Sequence, residues 1–430
     1  MSACRLASLN RRAALGVLLG LILSLASALA QLPSASPAEA GLSAERLERL
    51  SRYLQSVVEK RKAAGLVALI ARRGRLPYFQ AFGSLDRETG APMPKDAVFR
   101  IASQTKALTS TAVMMLMEEG RLLLDDPVSK YIPEFAAARV AVPLEEKGAK
   151  GYAAVPVKRP ITLRHLLTHS AGISYGYGPA REEYRAAGIQ GWLLAGRDQP
   201  VGEVIKKLAA LPFDAQPGEK FVYGYNTDIL GYVVEIVSGL SLDEFFAKRI
   251  TGPLKMKDTH FFLPESKLGR LASVYGLDEK GVLTKVEDAR GSVYVKGPRR
   301  CFSGGAGLLS TAGDYARFLQ MLLNGGELDG ARLLSPKTVA LMTVDHLDGL
   351  YGPEGFGLGF WVTEKLGRDG RPGTVGSYGW GGAYHTTYWV DPREQMVCVL
   401  MTQLLPADGS DLHGKFRSLV YQAVIESGDQ

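Results

Sequence analysis

Short apolar runs with strand character lie near both ends of the chain. Two of them flank the charged stretch Arg72-Arg73-Gly74-Arg75, and this spacing predicts a β-hairpin closed by a glycine-containing turn. Each run is rich in β-branched or aromatic residues and is bounded by turn residues, which is typical of buried strands. The predicted strands cover residues 66–71, 78–82, 357–362, 383–390 and 395–402.

Apolar residues at helical spacing predict helices at about 44–64, 103–119 and 412–425. The segment 103–119 carries almost no charge after Lys106 and ends at Gly120, a residue that commonly caps helices. A helix that is apolar on all sides is buried. We therefore expect the start of this helix to lie inside the protein.

The middle of the chain differs from its two ends. From about 125 to 288 the pattern changes to short helices and long loops with few strand signals. We predict an α+β fold in which an antiparallel sheet, built from residues 41–124 and 289–428, is flanked by helices. The residues 125–288 are predicted to form an inserted, mainly helical domain.

The first thirty residues have the pattern of a secretory signal peptide. Three arginines, Arg5, Arg11 and Arg12, precede an apolar run that ends in Ala28-Leu29-Ala30, and no acidic residue occurs before it. We predict a cleaved signal peptide at 1–30, a proline-containing linker at 31–40, and a periplasmic or secreted protein without a stable membrane span. An uncleaved membrane anchor is the alternative, because the apolar run is just long enough to cross a bilayer.

Composition excludes some classes of partner. The formal net charge of +7 falls to +4 when the three signal arginines are removed, which is too mild to indicate a nucleic-acid partner. The exported chain keeps two cysteines, Cys301 and Cys398. Two cysteines make no disulfide framework, so we expect buried thiols, although the two could also pair.

Ser103 and Lys106 are the strongest chemical signal. Residues three apart share a helix face, so the amine lies within reach of the hydroxyl at the start of the predicted helix. Burial without a nearby carboxylate in the sequence favours a neutral amine, which can accept the serine proton. The free N–H groups of the helix start would stabilise an oxyanion. The pair predicts a nucleophile beside its base.

Several motifs around this pair resemble the serine β-lactamase and penicillin-binding protein superfamily, and most of all class C β-lactamases and family VIII carboxylesterases. The resemblance covers about 41–424 and involves motifs in the expected order. These motifs are Phe99-Arg100-Ile101-Ala102-Ser103-Gln104-Thr105-Lys106, Leu123-Leu124-Asp125-Asp126-Pro127-Val128, the segment 161–173 and the segment 304–311.

The resemblance implies further site residues. Tyr223, which follows Pro217-Gly218, corresponds to the family's catalytic tyrosine and would exchange protons with Lys106. The segment Trp380-Gly381-Gly382 stands where the family usually has Lys-Thr-Gly, and the backbone N–H of the following Ala383 would join that of Ser103 in the oxyanion hole. Tyr225 and His385 complete the predicted substrate-binding residues.

Two of these positions depart from the β-lactamase pattern. Trp380 stands in place of a lysine, so the family's cation is missing, as in family VIII esterases. Tyr225 stands in place of an asparagine that contacts a substrate amide. His385 lies near the mouth of the same strand edge, where it could touch substrate or simply be exposed.

The sequence contains two rival candidate sites. His165 and His169 are four residues apart like a zinc-binding pair, but Leu166 occupies the position of the general-base glutamate. Ser174 lies in a Gly-x-Ser-x-Gly match that lacks the strand before it and the helix after it. We therefore predict neither a metal site nor Ser174 as nucleophile.

The sequence thus predicts an exported serine hydrolase that works through an acyl-enzyme on a small-molecule ester or amide and needs no cofactor. A carboxylesterase acting on short-chain or small esters is the first choice. The alternatives are a D-amino-acid peptidase or weak β-lactamase, and a binding protein without activity on the same fold.

Overall fold

The computed structural model describes residues 32–144, 151–368, 370–407 and 409–428. The predicted signal peptide lies outside the described residues. The described part of the linker is attached to the sheet, since Ala35 N–H donates to the Leu76 carbonyl at 3.3 Å and Leu76 N–H donates to the Pro33 carbonyl at 2.8 Å.

A large antiparallel sheet contains eight strands within the described residues. The strands are β1 Gly65–Arg72, β2 Arg75–Asp86, β3 Ala91–Pro92, β4 Gly355–Phe356, β5 Trp361–Val362, β6 Tyr378–Gly382, β7 Thr386–Asp391 and β8 Met396–Thr402. In space they follow the order β4-β5-β6-β7-β8-β1-β2-β3, so the strands from the two parts of the chain meet at the β8–β1 pair. The predicted α+β architecture is confirmed.

The β1–β2 hairpin closes through Arg73 and Gly74, which have φ of 54° and 70°. Two successive left-handed residues are what a tight hairpin turn with the right-handed twist of a sheet requires, and glycine adopts that conformation without strain. The predicted hairpin is therefore correct, although both strands extend beyond the apolar runs.

Strand β1 is buried on both faces. Val67, Leu69 and Ala71 pack into the larger apolar cluster, while the alternating residues Leu66, Ala68 and Ile70 pack into a second cluster. A strand covered on both sides has no need of polar residues, which explains the unbroken apolar run in the sequence.

Helices cover the two faces of the sheet. On the side of the second cluster lie α1 (Ala44–Glu59) and α5 (Leu412–Tyr421), and on the other side lie α2 (Thr105–Glu118), α3 (Asn226–Ser238) and α4 (Ala312–Leu323). Helix α2 is buried almost along its whole length, as its lack of charge predicts. The further α-helices are Leu163–Leu167, Arg181–Ala186, Val201–Ala209, Leu242–Phe246, Val293–Lys296 and Pro336–Met342.

The described part of the region between the two halves of the sheet contains mostly helices and loops, with two antiparallel strand pairs that the sequence pattern did not indicate. They pair Arg139–Pro143 with Tyr152–Pro156 and Val274–Leu277 with Leu283–Glu287. The division into two domains at 125 and 288 stays a prediction. None of the helices in the described ranges is long and apolar enough to cross a membrane.

Candidate active site

Ser103 lies at a strained junction between a strand and the buried helix. The short strand Phe99–Arg100 leads into Ala102, whose φ of 40° is unusual for a residue with a side chain. A 3-10 turn over Ala102–Gln104 then passes into α2 at Thr105. Strain of this kind persists only where the surrounding structure holds it, and it is common at functional sites. It places the Ser103 hydroxyl at the N-terminal end of a helix.

The Lys106 amine lies in contact with that hydroxyl. Its Nζ is 3.2 Å from Ser103 Oγ, 3.1 Å from the Tyr175 hydroxyl and 2.8 Å from the Gly305 carbonyl oxygen. The side chain is 1% exposed, so solvent does not compete for these contacts. The sequence-predicted pair is therefore brought together, with two partners that lie far away in the sequence.

Tyr223 lies on the other side of the amine. Lys106 Nζ is 4.6 Å from the centre of the Tyr223 ring, which is cation–π distance, rather than at the phenol oxygen. The phenol oxygen instead accepts a hydrogen bond from Trp380 Nε1 at 3.1 Å. Four of the predicted residues, Ser103, Lys106, Tyr223 and Trp380, thus form a continuous chain of contacts that ends on strand β6.

Tyr175 is a site residue that sequence reasoning missed. Its hydroxyl contacts Lys106, and its ring meets the Tyr223 ring edge-on with centroids 5.8 Å apart. Burial, and then the neighbouring Tyr223, raise the pKa of Tyr175 well above its usual value, so it remains a neutral phenol. The only sequence signal for Tyr175 was its position in the Gly-x-Ser-x-Gly match Gly172-Ile173-Ser174-Tyr175-Gly176, and that motif indicates the serine as the reactive residue.

His169 is a second missed residue and explains why the histidine pair is not a metal site. Its Nδ1 faces Asn226 Nδ2 at 3.0 Å and its ring packs against Tyr223 with centroids 4.6 Å apart. Burial, and then Lys106, lower the pKa of His169 well below its usual value, which keeps the ring neutral. His165 Nδ1 instead accepts the Thr162 N–H at 3.1 Å in a helix cap. Across the described ranges, no group of three or more His, Cys, Asp or Glu could hold a metal ion.

The end of strand β6 approaches the nucleophile closely. A Cβ on Gly382 would lie 2.3 Å from the Ile101 carbonyl oxygen, so only glycine fits beside the residues that precede Ser103. Ala383 follows in the turn between β6 and β7 and packs against a small apolar cluster that contains Ala102. The predicted strand at 383–390 therefore begins three residues late, at Thr386, and Ala383 lies beside the start of the nucleophile helix.

The structure corrects the prediction that Tyr225 binds substrate. Tyr225 is completely buried, its hydroxyl donates to the Gly191 carbonyl, and its ring packs edge-on against Tyr175 with centroids 5.0 Å apart. The next residue, Asn226, is also completely buried and directs its amide N–H groups to His169, Ile173 and Val222. Neither side chain offers an amide to a substrate.

The prediction for His385 also needs correction. Its imidazole stacks on that of His413 in helix α5 with ring centroids 3.9 Å apart, and its Nε2 lies 2.9 Å from Ser410 Oγ. Burial, and then His413, lower the pKa of His385 to about 3. The ring attaches the turn after β6 to the C-terminal helix, so a contact with substrate is not supported.

The rival serine and the two cysteines have other environments. Ser174 Oγ accepts the Gly176 N–H at 3.1 Å within its own turn. Cys301 and Cys398 are both free and buried, and they belong to different apolar clusters. They are therefore the two buried thiols that the sequence suggested.

A wall of aromatic rings extends the site away from Ser103. Phe221 lies 4.7 Å from Tyr351 and 5.0 Å from Phe356, and Phe356 lies 5.4 Å from Trp380, between ring centroids. Aromatic rings in such edge-on and tilted arrangements form a rigid apolar surface. The polar groups of the site are thus concentrated around Lys106, beside an apolar wall.

A buried lysine between a serine at a helix start and a tyrosine, facing the end of a glycine-rich strand, is the arrangement of a serine hydrolase. The chain belongs to the beta-lactamase family, whose sequence profile matches residues 50–421.

Individual relatives agree with this class. Esterase EstB of Burkholderia gladioli is 32% identical over 375 residues, which cover 82% of this chain and 89% of the esterase. A putative D-alanyl-D-alanine carboxypeptidase of Escherichia coli K12 is 29% identical and covers 86% of this chain and 85% of its own length. The solved structure of EstCE1, described as a hydrolase with promiscuous acyltransferase activity, is 28% identical with a TM-score of 0.74 and covers 89% and 98% of the two chains.

Proposed function

We propose that the protein is a carboxylesterase for small, uncharged esters. Ser103 Oγ attacks the ester carbonyl while its proton passes to Lys106, and the carbonyl oxygen becomes an oxyanion facing the backbone N–H groups of Ser103 and Ala383. The tetrahedral intermediate collapses, the C–O bond to the alcohol breaks, and the Lys106 and Tyr223 pair returns a proton to the leaving alcohol. Water then attacks the carbonyl carbon of the acyl-enzyme and gives its proton to the Lys106 and Tyr223 pair. The bond to Ser103 Oγ breaks, Ser103 takes a proton back from that pair, and the acid leaves.

The observation that carries this choice is the position of Trp380. The family's lysine would present a cation to the carboxylate of a β-lactam or peptide, and here the indole N–H instead donates to the Tyr223 hydroxyl. A hydrogen bond to a charged group contributes on the order of 1.5 to 3 kcal/mol, and about 1.4 kcal/mol corresponds to tenfold in rate. Without that cation, kcat/KM for an anionic substrate therefore falls about ten- to a hundredfold, while kcat/KM for an uncharged ester is unaffected.

Two further features favour esters. The buried side chains of Tyr225 and Asn226 leave no amide partner for the side chain of a β-lactam or peptide. The aromatic wall of Phe221, Tyr351, Phe356 and Trp380 suits small apolar acyl or alcohol groups. The relationship to esterase EstB supports the same choice. Because a putative D-alanyl-D-alanine carboxypeptidase is also a relative, D-amino-acid peptides are included among the test substrates.

The test compares p-nitrophenyl acetate and butyrate with nitrocefin, benzylpenicillin and D-Ala-D-Ala peptides on the purified protein. We expect kcat/KM for the esters to exceed that for the lactams and peptides by about a hundredfold or more. Trp380→Lys should narrow this gap, because it restores a cation. A kcat/KM for nitrocefin or a D-Ala peptide equal to that for the esters would contradict the proposal.

We also propose that the protein is exported with cleavage after Ala30. The basic start, the apolar core and the Ala28-Leu29-Ala30 sequence support this. Amino-terminal sequencing of the mature protein should find Gln31 first. A membrane-bound product that begins at Met1 would contradict export with cleavage.

A further inference from the structure

A buried carboxyl group lies behind the active-site lysine. Asp228 is in the first turn of helix α3 and is completely buried. Its Oδ1 accepts hydrogen bonds from Ser303 Oγ at 2.5 Å and from the Gly305 N–H at 3.1 Å. Its Oδ2 has no hydrogen-bond partner in the part of the chain that the structure describes. A buried carboxyl oxygen without a protein partner is costly, which makes this site unusual.

One residue separates this carboxyl from the amine. The N–H of Gly305 donates to Asp228, and the carbonyl of the same residue accepts from Lys106 Nζ at 2.8 Å. A Cβ on Gly305 would lie 2.4 Å from Asp228 Oδ2, so the carboxyl packs directly against the glycine backbone. Asp228 and Lys106 thus both bind the backbone of Gly305, and both are shielded from water.

The two groups interact electrostatically. Burial raises the pKa of Asp228, and the positive charge of Lys106 is the largest opposing effect, followed by the hydrogen bond from Ser303. A carboxylate at Asp228 and a positive charge on Lys106 would therefore stabilise each other in an interior that water does not reach.

The other titratable groups that face Asp228 are Tyr175, Tyr225 and Cys301. Burial raises the pKa of both phenols above their usual value and that of the Cys301 thiol to about 12, and Asp228 adds to each shift. These three groups stay neutral near pH 7. Among these groups, Lys106 is therefore the one that can carry a positive charge facing Asp228.

We propose that Asp228 is a positioning residue for the reaction, which supplies the negative charge facing Lys106 when the amine takes the proton from Ser103. The inference rests on the proposed function and extends it to a Ser103–Lys106–Asp228 arrangement. The proton leaves Ser103 Oγ as the bond to the ester carbon forms, and an ammonium appears in a buried site. The carboxylate stabilises that ammonium across Gly305, as the buried aspartate of a Ser-His-Asp triad stabilises the imidazolium.

Asp228→Asn tests the proposal, because it keeps the shape and the acceptor oxygen but removes the charge. Neutral Lys106 should then be reached at lower pH, so the ascending limb of kcat/KM against pH should move down by about one pH unit or more. At the plateau kcat should fall at least about tenfold with KM nearly unchanged, since the ammonium is less stable in the transition state. The rate at which a fluorophosphonate labels Ser103 should show the same shift and requires no ester turnover.

Asp314→Asn is the matched control. Asp314 is also a buried carboxyl in the first turn of a helix, and burial raises its pKa to about 6. Its partners are the Asp258 N–H at 2.7 Å and Thr259 Oγ1 at 3.0 Å, and the neighbouring charges that act on it most are those of Asp258 and Lys267. We expect the ascending limb of kcat/KM against pH to lie at the same pH in this variant as in the wild type.

Ser303→Ala provides a second variant if Asp228→Asn does not fold. It removes the hydrogen bond that stabilises the carboxylate and should move the limb in the same direction by a smaller amount. A limb that stays at the wild-type pH in the folded variants, or that moves equally in Asp314→Asn, overturns the proposal. A wild-type protein that labels at Ser103 but does not hydrolyse esters would contradict the proposed function alone, because the labelling profile still reports on Asp228.

Discussion

At the scale of single residues, the chemistry depends on how the protons of Lys106 are distributed. A neutral amine has two N–H groups and one lone pair. The Gly305 carbonyl can only accept, so it takes one N–H, and the Tyr175 hydroxyl can accept the other. Ser103 Oγ, at 3.2 Å, is the third group that Nζ contacts. In the neutral form of the amine, the lone pair is therefore left for the Ser103 hydroxyl, which can then donate its proton.

Replacing the nucleophile should abolish both labelling and turnover. We expect Ser103→Ala to lose fluorophosphonate labelling and to retain less than about a thousandth of the wild-type kcat, because removing a nucleophile usually costs more than that. Mass spectrometry of the labelled peptide locates the adduct. Ser174→Ala is the control and should still be labelled at Ser103, since the Ser174 hydroxyl is occupied by the Gly176 N–H. An adduct on Ser174 would refute the assignment.

The two active-site tyrosines should have unequal effects. Tyr223→Phe removes the phenol that we assign to proton transfer and should lower kcat by about 10² to 10⁴. Tyr175→Phe removes only an acceptor for a Lys106 N–H, which costs about 1 to 3 kcal/mol, or roughly five- to 150-fold. Steady-state kinetics with p-nitrophenyl butyrate measure both. A larger loss in Tyr175→Phe than in Tyr223→Phe would transfer the proton-carrying role to Tyr175.

The sequence could predict part of this site but not all of it. Ser103 and Lys106 are neighbours on one helix, so their spacing alone predicts their contact. Tyr175, His169 and Asp228 come near Lys106 only through tertiary folding, and no local pattern distinguishes them from ordinary buried residues. The prediction that Tyr225 binds substrate was wrong for the same reason, because its position in the motif did not show that its ring is buried in the core.

At the scale of elements, strand β6 shows why local pattern was insufficient. Tyr378–Gly382 contains three glycines, which have low strand propensity, so the sequence indicated a strand only from residue 383. Pairing with β5 on one side and β7 on the other holds this segment extended. The apolar runs of β1 and β8 were recognised because burial on both faces leaves a continuous apolar signature.

The stacked histidines between the turn after β6 and helix α5 should make stability depend on pH. The pKa of His385 falls to about 3 in the folded protein, and burial also lowers that of His413, whereas both are near 6.5 when unfolded. The unfolded chain then binds more protons, so this contribution is complete above about pH 6.5 and is lost as the pH falls toward 3.

Thermal unfolding at pH 7 and pH 5 checks this expectation. The decrease in Tm between the two pH values should be smaller in His385→Asn than in the wild type. Asparagine tolerates the left-handed backbone of this position, whose φ is 63°, and does not titrate. An equal decrease in both proteins would show that the histidine pair does not contribute.

At the scale of the whole molecule, Arg72 at the end of β1 binds segments near residue 40 and near residue 426 to the sheet. Its guanidinium donates to the Ala40 and Gly41 carbonyls at 2.9 Å, to the Glu394 carboxylate at 2.5 Å and to the Glu426 carbonyl. It is 1% exposed. The sequence placed this residue in a hairpin turn, because nothing local indicates that its partners come from three distant segments.

Arg72→Ala should therefore be strongly destabilising. It leaves the buried Glu394 without its cation, which costs about 3 to 5 kcal/mol in the free energy of unfolding. Arg73→Ala is the matched control, since Arg73 pairs with Glu426 at the surface and should cost less than about 1 kcal/mol. Urea denaturation measures both values. Equal losses in the two variants would show that burial of the Arg72 pair is not decisive.

The meeting of β1 and β8 also has a consequence for synthesis. The Thr402 hydroxyl donates to the Gly65 carbonyl, 337 positions earlier in the chain. The ribosome must therefore release nearly the whole polypeptide before the central strand pair can form, and contacts of such long range form slowly. The central strand pair is therefore absent throughout elongation, and the sheet that it joins is incomplete until synthesis is nearly finished. Truncation before Met396 should leave it permanently in that state.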